Sequence, residues 1–524
     1  MIRAGERLEL EAIERRSAQG RSFLLTIAGI VALSFVALPI FYLLRQVLGS
    51  QGQTLRIIIF RQKTLEILAT TIALAGLVAT LATIIGLALG WSLQNIKIPA
   101  GSTIRALVMI PIAIPSYIYA YCWLSVDALP RGFIAAVIVL TLATTPYIVL
   151  ATMAAYARVD VAQLEVAETL GLNPFRLFLR IVFPQIRNTV LAGSLLIALY
   201  VLADFGAVSL LGVDTLTRSI HNTYQGSYDR STAALLALIL LVLSSLLVMR
   251  EHRWRNENDG MRSSARITQG INGKSTGRER VGAIALIIGY VVIALIIPLT
   301  ILLAQFFDRE QVLDLSALLQ ATSSSILVSA LGALLALIIA VPLALLILTG
   351  SRLGKVAEWS TLLVHALPGI VMGLALVSFG AQFPLIYQTI TLLAMAYSIL
   401  FLARSVGFIT TAISRVPRNL EEISATLGKS SGETFRKITL PLALPGILSG
   451  ALLVFLSAMK ELPATLMLRP TGFETLATEI WSSTNIFRLS EAAPYALFLV
   501  ISSAVPAFLI SRPDKSNSER GELT

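Results

Sequence analysis

Three ionisable residues lie in or beside long apolar stretches of the sequence, where a charge is costly and usually marks function. Asp204 and Glu461 stand 257 residues apart, and Lys460 directly precedes Glu461. Two carboxylates at matching places can offer hard oxygen ligands to a hard cation along an aqueous translocation path. The same residues can instead form a structural ion pair between Lys460 and one carboxylate. The metal, if any, stays unknown, and both interpretations require apolar elements that bring the two regions together.

Other chemistry is sparse in this sequence. Gly273-Lys274-Ser275 resembles the end of a phosphate-binding loop, but Thr268 stands where that loop needs a glycine, and no strand precedes it. The 3 histidines and 1 cysteine form no metal-ligand or nucleophile pattern. We therefore expect no catalytic site, no cofactor and no nucleotide site in the chain.

Membrane helices must position the charged residues. A chain of 524 residues with 56% hydrophobic and only 14% charged residues is too apolar for a soluble protein of this length. A helix needs about 20 apolar residues to cross a bilayer, and twelve runs qualify. They lie near 23–44, 65–93, 102–126, 131–155, 189–211 and 232–249, and near 281–305, 319–349, 357–379, 385–411, 445–468 and 493–511. Because the runs are continuously apolar, we predict an all-α polytopic membrane protein rather than a barrel.

Each half also contains one polar segment with the same residue spacing. A glutamate precedes a glycine by six positions, and an isoleucine three residues before a proline follows ten positions after that glycine. The residues are Glu165, Ala167, Gly171, Ile181 and Pro184 in the first copy and Glu422, Gly428, Ile438 and Pro441 in the second, 257 residues later. The same offset pairs Leu170 with Leu427, Gly193 with Gly450 and Pro111 with Pro368. The sequence thus predicts two parallel six-helix repeats, formed by duplication and fusion.

Both polar segments are predicted to be a short helix, a tight turn and a second helix. Asp160 and Asn419 can cap the first helix of each copy. Gly171 and Gly428 can end it, since glycine readily adopts the left-handed conformation. A short rigid helix held across the ends of membrane spans can transmit a push from a soluble subunit.

This spacing resembles the EAA loop of permease subunits of binding-protein-dependent ABC importers, a loop that docks onto the ATPase subunit. Val166, Ile423, Ser424 and Phe183 depart from that motif. The resemblance implies that the nine spacing residues dock an ABC ATPase subunit, in two copies because the chain has two loops. It also implies a periplasmic substrate-binding protein and ATP hydrolysis in the partner, so that this chain is not an enzyme. A secondary transporter is the competing class, but six-span repeats are expected to be parallel rather than inverted.

The segments around the charged residues resemble ferric-iron permeases of the ABC importer group. The resemblance is carried by 202–211 and 214–220 and by their counterparts 459–470 and 473–481. It implies Fe3+ as the transported species, delivered to outer loops near 212–230 and 469–492. Fused permeases for thiamine share this architecture, and permeases for polyamines, sulfate and phosphonate share the loops, so these solutes stay as alternatives.

Lysine and arginine predict the orientation in the membrane. With both termini in the cytoplasm, 29 basic residues fall on the cytoplasmic side and ten on the other. The net charge of +11 is therefore a signal of topology, and no nucleic-acid partner is expected. We predict a multi-pass inner-membrane protein in a lipid bilayer. Its predicted parts are a cytoplasmic N-tail 1–22, a first permease domain 23–249 with its loop at 160–184, a cytoplasmic linker 250–280, a second permease domain 281–511 with its loop at 417–441, and a cytoplasmic C-tail 512–524.

Overall fold

The computed structural model describes residues 26–49, 52–95, 101–126, 130–156, 159, 161–170, 174–226, 229–259, 277–307 and 314–511. Within these ranges the chain is helical and contains no strand, which confirms the predicted fold class. The predicted N-tail 1–22 and C-tail 512–524 lie outside the described residues. The predicted linker 250–280 is described only at its ends, where helices run on to Asp259 and begin again at Gly277.

The helices follow the two predicted repeats. In the first repeat they are Thr26–Leu48, Gly52–Ile59, Gln62–Asn95, Gly101–Met109, Ser116–Ser125, Phe133–Tyr156, Val161–Thr169, Pro174–Leu177, Phe183–Ala203, Gly206–Leu210, Leu216–Gly226 and Arg230–Asp259. In the second they are Gly277–Val291, Ile297–Phe306, Leu315–Leu348, Arg352–His365, Gly369–Gly380, Ile390–Leu400, Leu402–Ser414, Arg418–Thr426, Ser431–Thr434, Leu440–Met459, Pro463–Leu468, Leu476–Asn485 and Leu489–Ser511. A 3-10 turn (Ile110–Ala113) and π turns (Phe178–Val182, Val292–Ile296 and Phe435–Thr439) join some of them.

Twelve apolar segments in the structure correspond to the twelve predicted spans. Eight described helices are long and apolar enough to cross a membrane, and three bent helix pairs bring the number to eleven. Helix Leu489–Ser511 accounts for the last predicted span. The hydropathy pattern therefore predicted the number and order of the spans.

The third span of each repeat, predicted as one apolar run, is bent in the structure. The two halves of the span meet at 90° in the first repeat and at 106° in the second. Pro115 and Pro368 cause the bends: each adopts an extended backbone, with ψ of 148° and 149°, immediately before the next helix begins. Proline lacks the amide hydrogen that would continue the first helix, and it starts a new one readily.

The two bends also correct the predicted alignment of the repeats. Pro368 corresponds in the structure to Pro115 and not to Pro111, which lies in the preceding 3-10 turn. The offset between the repeats is therefore 253 residues in their N-terminal parts and 257 from the polar loops onward. The ends of Gln62–Asn95 and Leu315–Leu348 follow the shorter offset.

The fifth spans end earlier than predicted. The expected runs 189–211 and 445–468 overlap the helices Phe183–Ala203 and Leu440–Met459, which begin before the runs and are each followed by a break. A second, much shorter helix follows each break. These two, called the inner short helices below, are Gly206–Leu210 and Pro463–Leu468.

Close helix packing explains one pair of repeated glycines. A Cβ on Gly193 would lie 3.0 Å from Ile148, and a Cβ on Gly450 would lie 2.5 Å from Phe408. In both repeats the fifth span therefore packs closely on the fourth at this glycine, and at Gly450 there is no room for a side chain unless Phe408 shifts.

Tyrosine hydroxyls connect the two repeats within a shared apolar core. Tyr119 of the first repeat donates to the carbonyl of Ala294 in the second at 2.7 Å. Tyr290 of the second repeat donates to the carbonyl of Leu142 in the first at 3.0 Å. The buried aromatic bodies add apolar area while the hydroxyls satisfy backbone acceptors, so the first span of the second repeat packs on the first repeat.

Two amphipathic helices follow the inner short helices and are called the outer helices below. They are Leu216–Gly226 and Leu476–Asn485. The first amide of each is capped by a hydroxyl from the long second span of its own repeat: Thr71 accepts from Leu216 at 3.0 Å and Ser325 accepts from Leu476 at 2.8 Å. Each outer helix is thus attached to its own repeat.

Candidate functional site: paired polar loops and the central carboxylates

The two polar loops fold alike, element by element. Each begins with a loop helix, Val161–Thr169 in the first repeat and Arg418–Thr426 in the second. A one-turn helix and a π turn then lead into the fifth span. Every boundary of these elements differs by 257 residues between the repeats, so the repeated spacing encodes a repeated structure. The π turns were not predicted, and such turns often occur at functional positions.

The turn of the second loop is well defined. Gly428 has φ of +75°, and its amide and that of Lys429 bond back to the carbonyls of Ala425 and Ser424. This Schellman arrangement ends the loop helix as predicted. The predicted cap by Asn419 is wrong, because the helix begins at Arg418 with Pro417 at its N-cap and Asn419 lies inside it. In the first loop, Asp160 and Gly171 lie outside the described residues.

Both loop helices expose an apolar pair. Val166 and Leu170 are 58% and 76% exposed in the first loop, and Ile423 and Leu427 are 53% and 73% exposed in the second. The pairs are spaced i, i+4, so their side chains are neighbours on the helix surface. Exposed large apolar side chains at identical places in two polar loops indicate a binding surface for a protein partner.

The sequence-predicted docking residues divide into surface and packing positions. Glu422, Pro184 and Pro441 are exposed, whereas Ile181 and Ile438 are partly buried and Ala167 is buried. Glu165 lies on the first loop helix and Gly428 forms the turn of the second. The exposed apolar pairs were not assigned to docking, although the shared offset of Leu170 and Leu427 was a visible signal.

The two loops have different interiors. The first loop core consists of apolar residues, Leu164, Ala167, Leu177 and Val182, all buried. The second loop has polar residues at the same four places: Ser424, Thr434 and Thr439 are buried, and Glu421 is exposed. There Ser424 and Thr434 share a hydrogen bond of 2.7 Å, and Thr439 donates to Glu421 at 3.0 Å.

Asp204 lies in the break between the fifth span and the first inner short helix. It is 8% exposed, and its Oδ1 accepts hydrogen bonds from the amides of Ala207 at 3.1 Å and Val208 at 3.3 Å. Its Oδ2 accepts from the hydroxyl of Ser116, which directly follows the bend at Pro115. The carboxylate therefore caps a helix and ties it to the bent third span.

Glu461 occupies the equivalent break in the second repeat. Its Oε1 accepts from the amide of Ala464 at 3.1 Å, and its carbonyl accepts from Thr465 at 2.6 Å. Gly369, just after the bend at Pro368, lies so close that a Cβ there would collide with the Glu461 carboxylate. Both predicted carboxylates thus join an inner short helix to a bent span.

Lys460 has a different partner from the one that the ion-pair interpretation requires. Its Nζ donates to the carbonyl of Ile112 in the first repeat at 3.4 Å, and its own carbonyl accepts from Tyr117 at 3.4 Å. Among the ion pairs between described residues, none joins Lys460 to Asp204 or Glu461. Lys460 therefore bridges the two repeats through backbone carbonyls.

Comparison with known proteins identifies the architecture. Residues 82–254 and 332–512 match the family described as "Binding-protein-dependent transport system inner membrane component", once in each repeat. The chain belongs to this family. The two matches confirm the fused permease that the loop spacing predicted, and they set aside a secondary transporter. The family description also makes this permease a component of the inner membrane.

The names of the permease's relatives mention different solutes. It is 31% identical, over 87% of this chain and 91% of the relative, to the Fe(3+)-transport system permease protein FbpB 2 of Haemophilus influenzae. It is 29% identical over 150 residues, 28% of this chain and 57% of the relative, to a putative 2-aminoethylphosphonate transport system permease protein of Salmonella typhimurium. It is 34% identical over 200 residues, 37% of this chain and 74% of the relative, to a probable molybdenum ABC transporter permease protein of Haloferax volcanii.

Proposed function

We propose that this permease imports ferric iron with energy from ATP hydrolysed by separate subunits. The relative that is similar along most of the chain carries Fe(3+) in its name, and the segments around Asp204 and Glu461 resemble such permeases. A periplasmic substrate-binding protein delivers the iron to the outer helices. Both termini and both polar loops lie in the cytoplasm, in keeping with the distribution of lysine and arginine.

The exposed apolar pairs carry the proposal for coupling. Val166 with Leu170 and Ile423 with Leu427 offer two equivalent surfaces, one beneath each repeat. Two equivalent surfaces fit two copies of one ATPase subunit, in keeping with the symmetry of most oligomers. Closure of the two ATPase copies would then move the two loop helices together and change the access of the central path.

Replacing an apolar side chain by a charged one on each of these surfaces tests the coupling proposal. We expect Leu170→Glu combined with Leu427→Glu to abolish co-purification of the ATPase, because apolar anchors in such interfaces contribute about 2 kcal/mol or more each. The matched control is Leu170→Met with Leu427→Met, which keeps the apolar surface and should keep the complex. Normal co-purification of the ATPase with the Glu variant would contradict the docking role.

For the central carboxylates we propose a positioning role, in place of direct contact with the cation. Asp204 uses both carboxylate oxygens for backbone amides and Ser116. Among the described residues no group of three or more His, Cys, Asp or Glu side chains is arranged to hold a metal ion. The carboxylates support the breaks in the helices that line the interface between the repeats.

Two substitutions of Asp204 separate positioning from a cation path. Asn caps helices about as well as Asp, whereas Ala costs roughly 0.5–2 kcal/mol. We therefore expect Asp204→Asn to retain iron uptake and Asp204→Ala to lose it, measured with radiolabelled iron in the source organism after replacement of the chromosomal copy. Loss of uptake in the folded Asn variant would favour the cation path instead.

A further inference from the structure

An open cavity of about 450 Å³ lies between the two outer helices. Residues of both repeats line it, so it lies at the interface between the repeats. Ser209 of the first inner short helix adds a hydroxyl to the lining, and the side chains that bear nitrogen are Arg218, His221, Asn222 and Gln225 from the first outer helix and Trp481 and Asn485 from the second. Every one of these six side chains carries at least one N–H group that can donate a hydrogen bond.

Two of these side chains have a buried nitrogen with no partner among the described residues. His221 is only 5% exposed, and its Nδ1 has no hydrogen bond. The indole Nε1 of Trp481 also has none, and an indole nitrogen can only donate. The His221 ring is held by Phe205 and Trp481, at centroid distances of 4.9 and 5.7 Å. Buried polar groups nearly always have partners, and the Trp481 N–H can be satisfied only by an acceptor.

The charge of the cavity wall is positive. Arg218 pairs with Asp214 at 2.8 Å, but Asp214 also pairs with Lys63 at 2.9 Å, so two cations share one carboxylate. Burial lowers the pKa of His221 to about 4, so its ring is neutral at pH 7. A neighbouring cavity of about 290 Å³ shares Gln225 and adds Arg230. Among the described residues that line either cavity, none is a carboxylate.

We propose that the cavity between the outer helices is an oxyanion-binding site. A tetrahedral oxyanion presents several acceptor oxygens, which suit the Arg218 guanidinium, the Trp481 indole N–H and the surrounding amides. A bare Fe3+ ion requires hard anionic oxygen ligands, which this lining does not supply. The inference rests on the proposed function in one respect: ferric iron passes this site as a complex with oxyanion ligands. The oxyanion can also belong to an organic substrate, such as a phosphonate.

Orthophosphate is the direct probe of the site. We expect radiolabelled orthophosphate to bind the purified permease in lipid nanodiscs saturably, as measured by equilibrium dialysis. Arg218→Gln should weaken binding at least about tenfold, because it removes a charge-assisted hydrogen bond. Trp481→Phe keeps the ring and removes only the N–H group, and it should weaken binding about threefold or more.

A matched control lies on the same side of the protein. Arg488 forms an exposed pair with Glu491 and does not line the cavity. Arg488→Gln should therefore leave the binding of orthophosphate unchanged. Gel filtration of each variant shows whether it is folded, and the conservative Trp481→Phe substitution keeps the test valid if Arg218→Gln fails to fold. Absence of saturable binding, or equal binding by folded Trp481→Phe and the unchanged permease, would overturn the proposal.

Uptake measurements separate this inference from the proposed function. Normal uptake of radiolabelled iron without any binding of orthophosphate would remove the oxyanion site and leave the iron function intact. Binding of orthophosphate that depends on Trp481, with iron uptake unaffected by deletion of the permease, would leave the site intact and remove the iron function. In that case uptake of a radiolabelled alkylphosphonate, lost in Arg218→Gln, would assign the oxyanion to an organic substrate.

Discussion

The first and second polar loops reach one backbone structure through opposite side-chain chemistry. In the first, Leu164 and Val182 meet in an apolar cluster that Trp91 extends against Tyr156 and Phe178. In the second, Glu421 and Thr439 occupy the same two places and form a hydrogen bond. The loop helix, the one-turn helix and the π turn have equivalent bounds in both, so the interior does not determine the loop conformation alone.

The difference teaches which parts of the loop are required and which are interchangeable. The repeated spacing specifies the ends of the elements, such as the prolines that start the fifth spans. The interior must only be filled, with every buried polar group hydrogen-bonded. Apolar burial does this without requiring a particular orientation, whereas paired polar groups require a defined hydrogen-bond geometry. We expect the first loop to be more stable locally and the second to hold its side chains more specifically.

The largest effect is expected from Leu164→Ala, which empties the apolar interior of the first loop. Leu164 is fully buried, and such substitutions cost about 2–5 kcal/mol. Amide hydrogen exchange of Val161–Thr169 should accelerate accordingly, while exchange of Arg418–Thr426 stays the same. Leu170→Ala is the control, since Leu170 is exposed and its removal should leave exchange unchanged. Unaltered exchange in Leu164→Ala would show that the cluster does not hold the helix.

An intermediate effect is expected when one partner is removed from the polar interior of the second loop. Ser424→Ala leaves the buried hydroxyl of Thr434 without its partner, at a cost of about 1–3 kcal/mol. The double variant Ser424→Ala with Thr434→Val resembles the first loop and should regain much of this loss. A double-mutant cycle on the same exchange measurement gives the coupling between the two residues. Additive effects would mean that the hydrogen bond contributes nothing.

The smallest effect concerns a surface difference between the loops. In the second loop Glu433 pairs with Lys429 at 3.1 Å and Lys437 at 2.7 Å. In the first, Arg176 and Arg180 stand in place of Glu433 and Lys437. Exposed pairs of this kind contribute little and are screened by salt. We expect Glu433→Gln to change the midpoint of thermal unfolding only slightly at low salt and not at all at about 1 M salt. At that ionic strength, charges are screened over about 3 Å. A large shift at high salt would indicate another role for Glu433.

Hydropathy and spacing predicted the spans, the repeats and the position of both loops, because burial in a bilayer acts on long runs of residues. They did not predict the bends at Pro115 and Pro368. Both prolines lie in apolar runs, and an average over such a run does not register a single missing amide hydrogen. The π turns were missed for a similar reason, since they change backbone hydrogen bonds without changing the character of the side chains.

The candidate site was predicted in part. Asp204 and Glu461 do occupy equivalent places, as their offset indicated, but their nearest partners are backbone amides of helices whose starts were not visible in the sequence. The partner of Lys460 is a carbonyl in the other repeat, and contacts between distant segments leave no local signal. The cavity between the outer helices was missed because its nitrogen-bearing side chains come from two segments more than 250 residues apart.

The hydroxyl caps of the outer helices have a mechanical consequence. Pulling either helix away from Thr71 or Ser325 would leave a buried amide without an acceptor, at a cost of about 1–3 kcal/mol. We therefore expect each outer helix to move as a rigid unit with its own repeat. Any movement of one repeat relative to the other would then change the distance between the two outer helices directly.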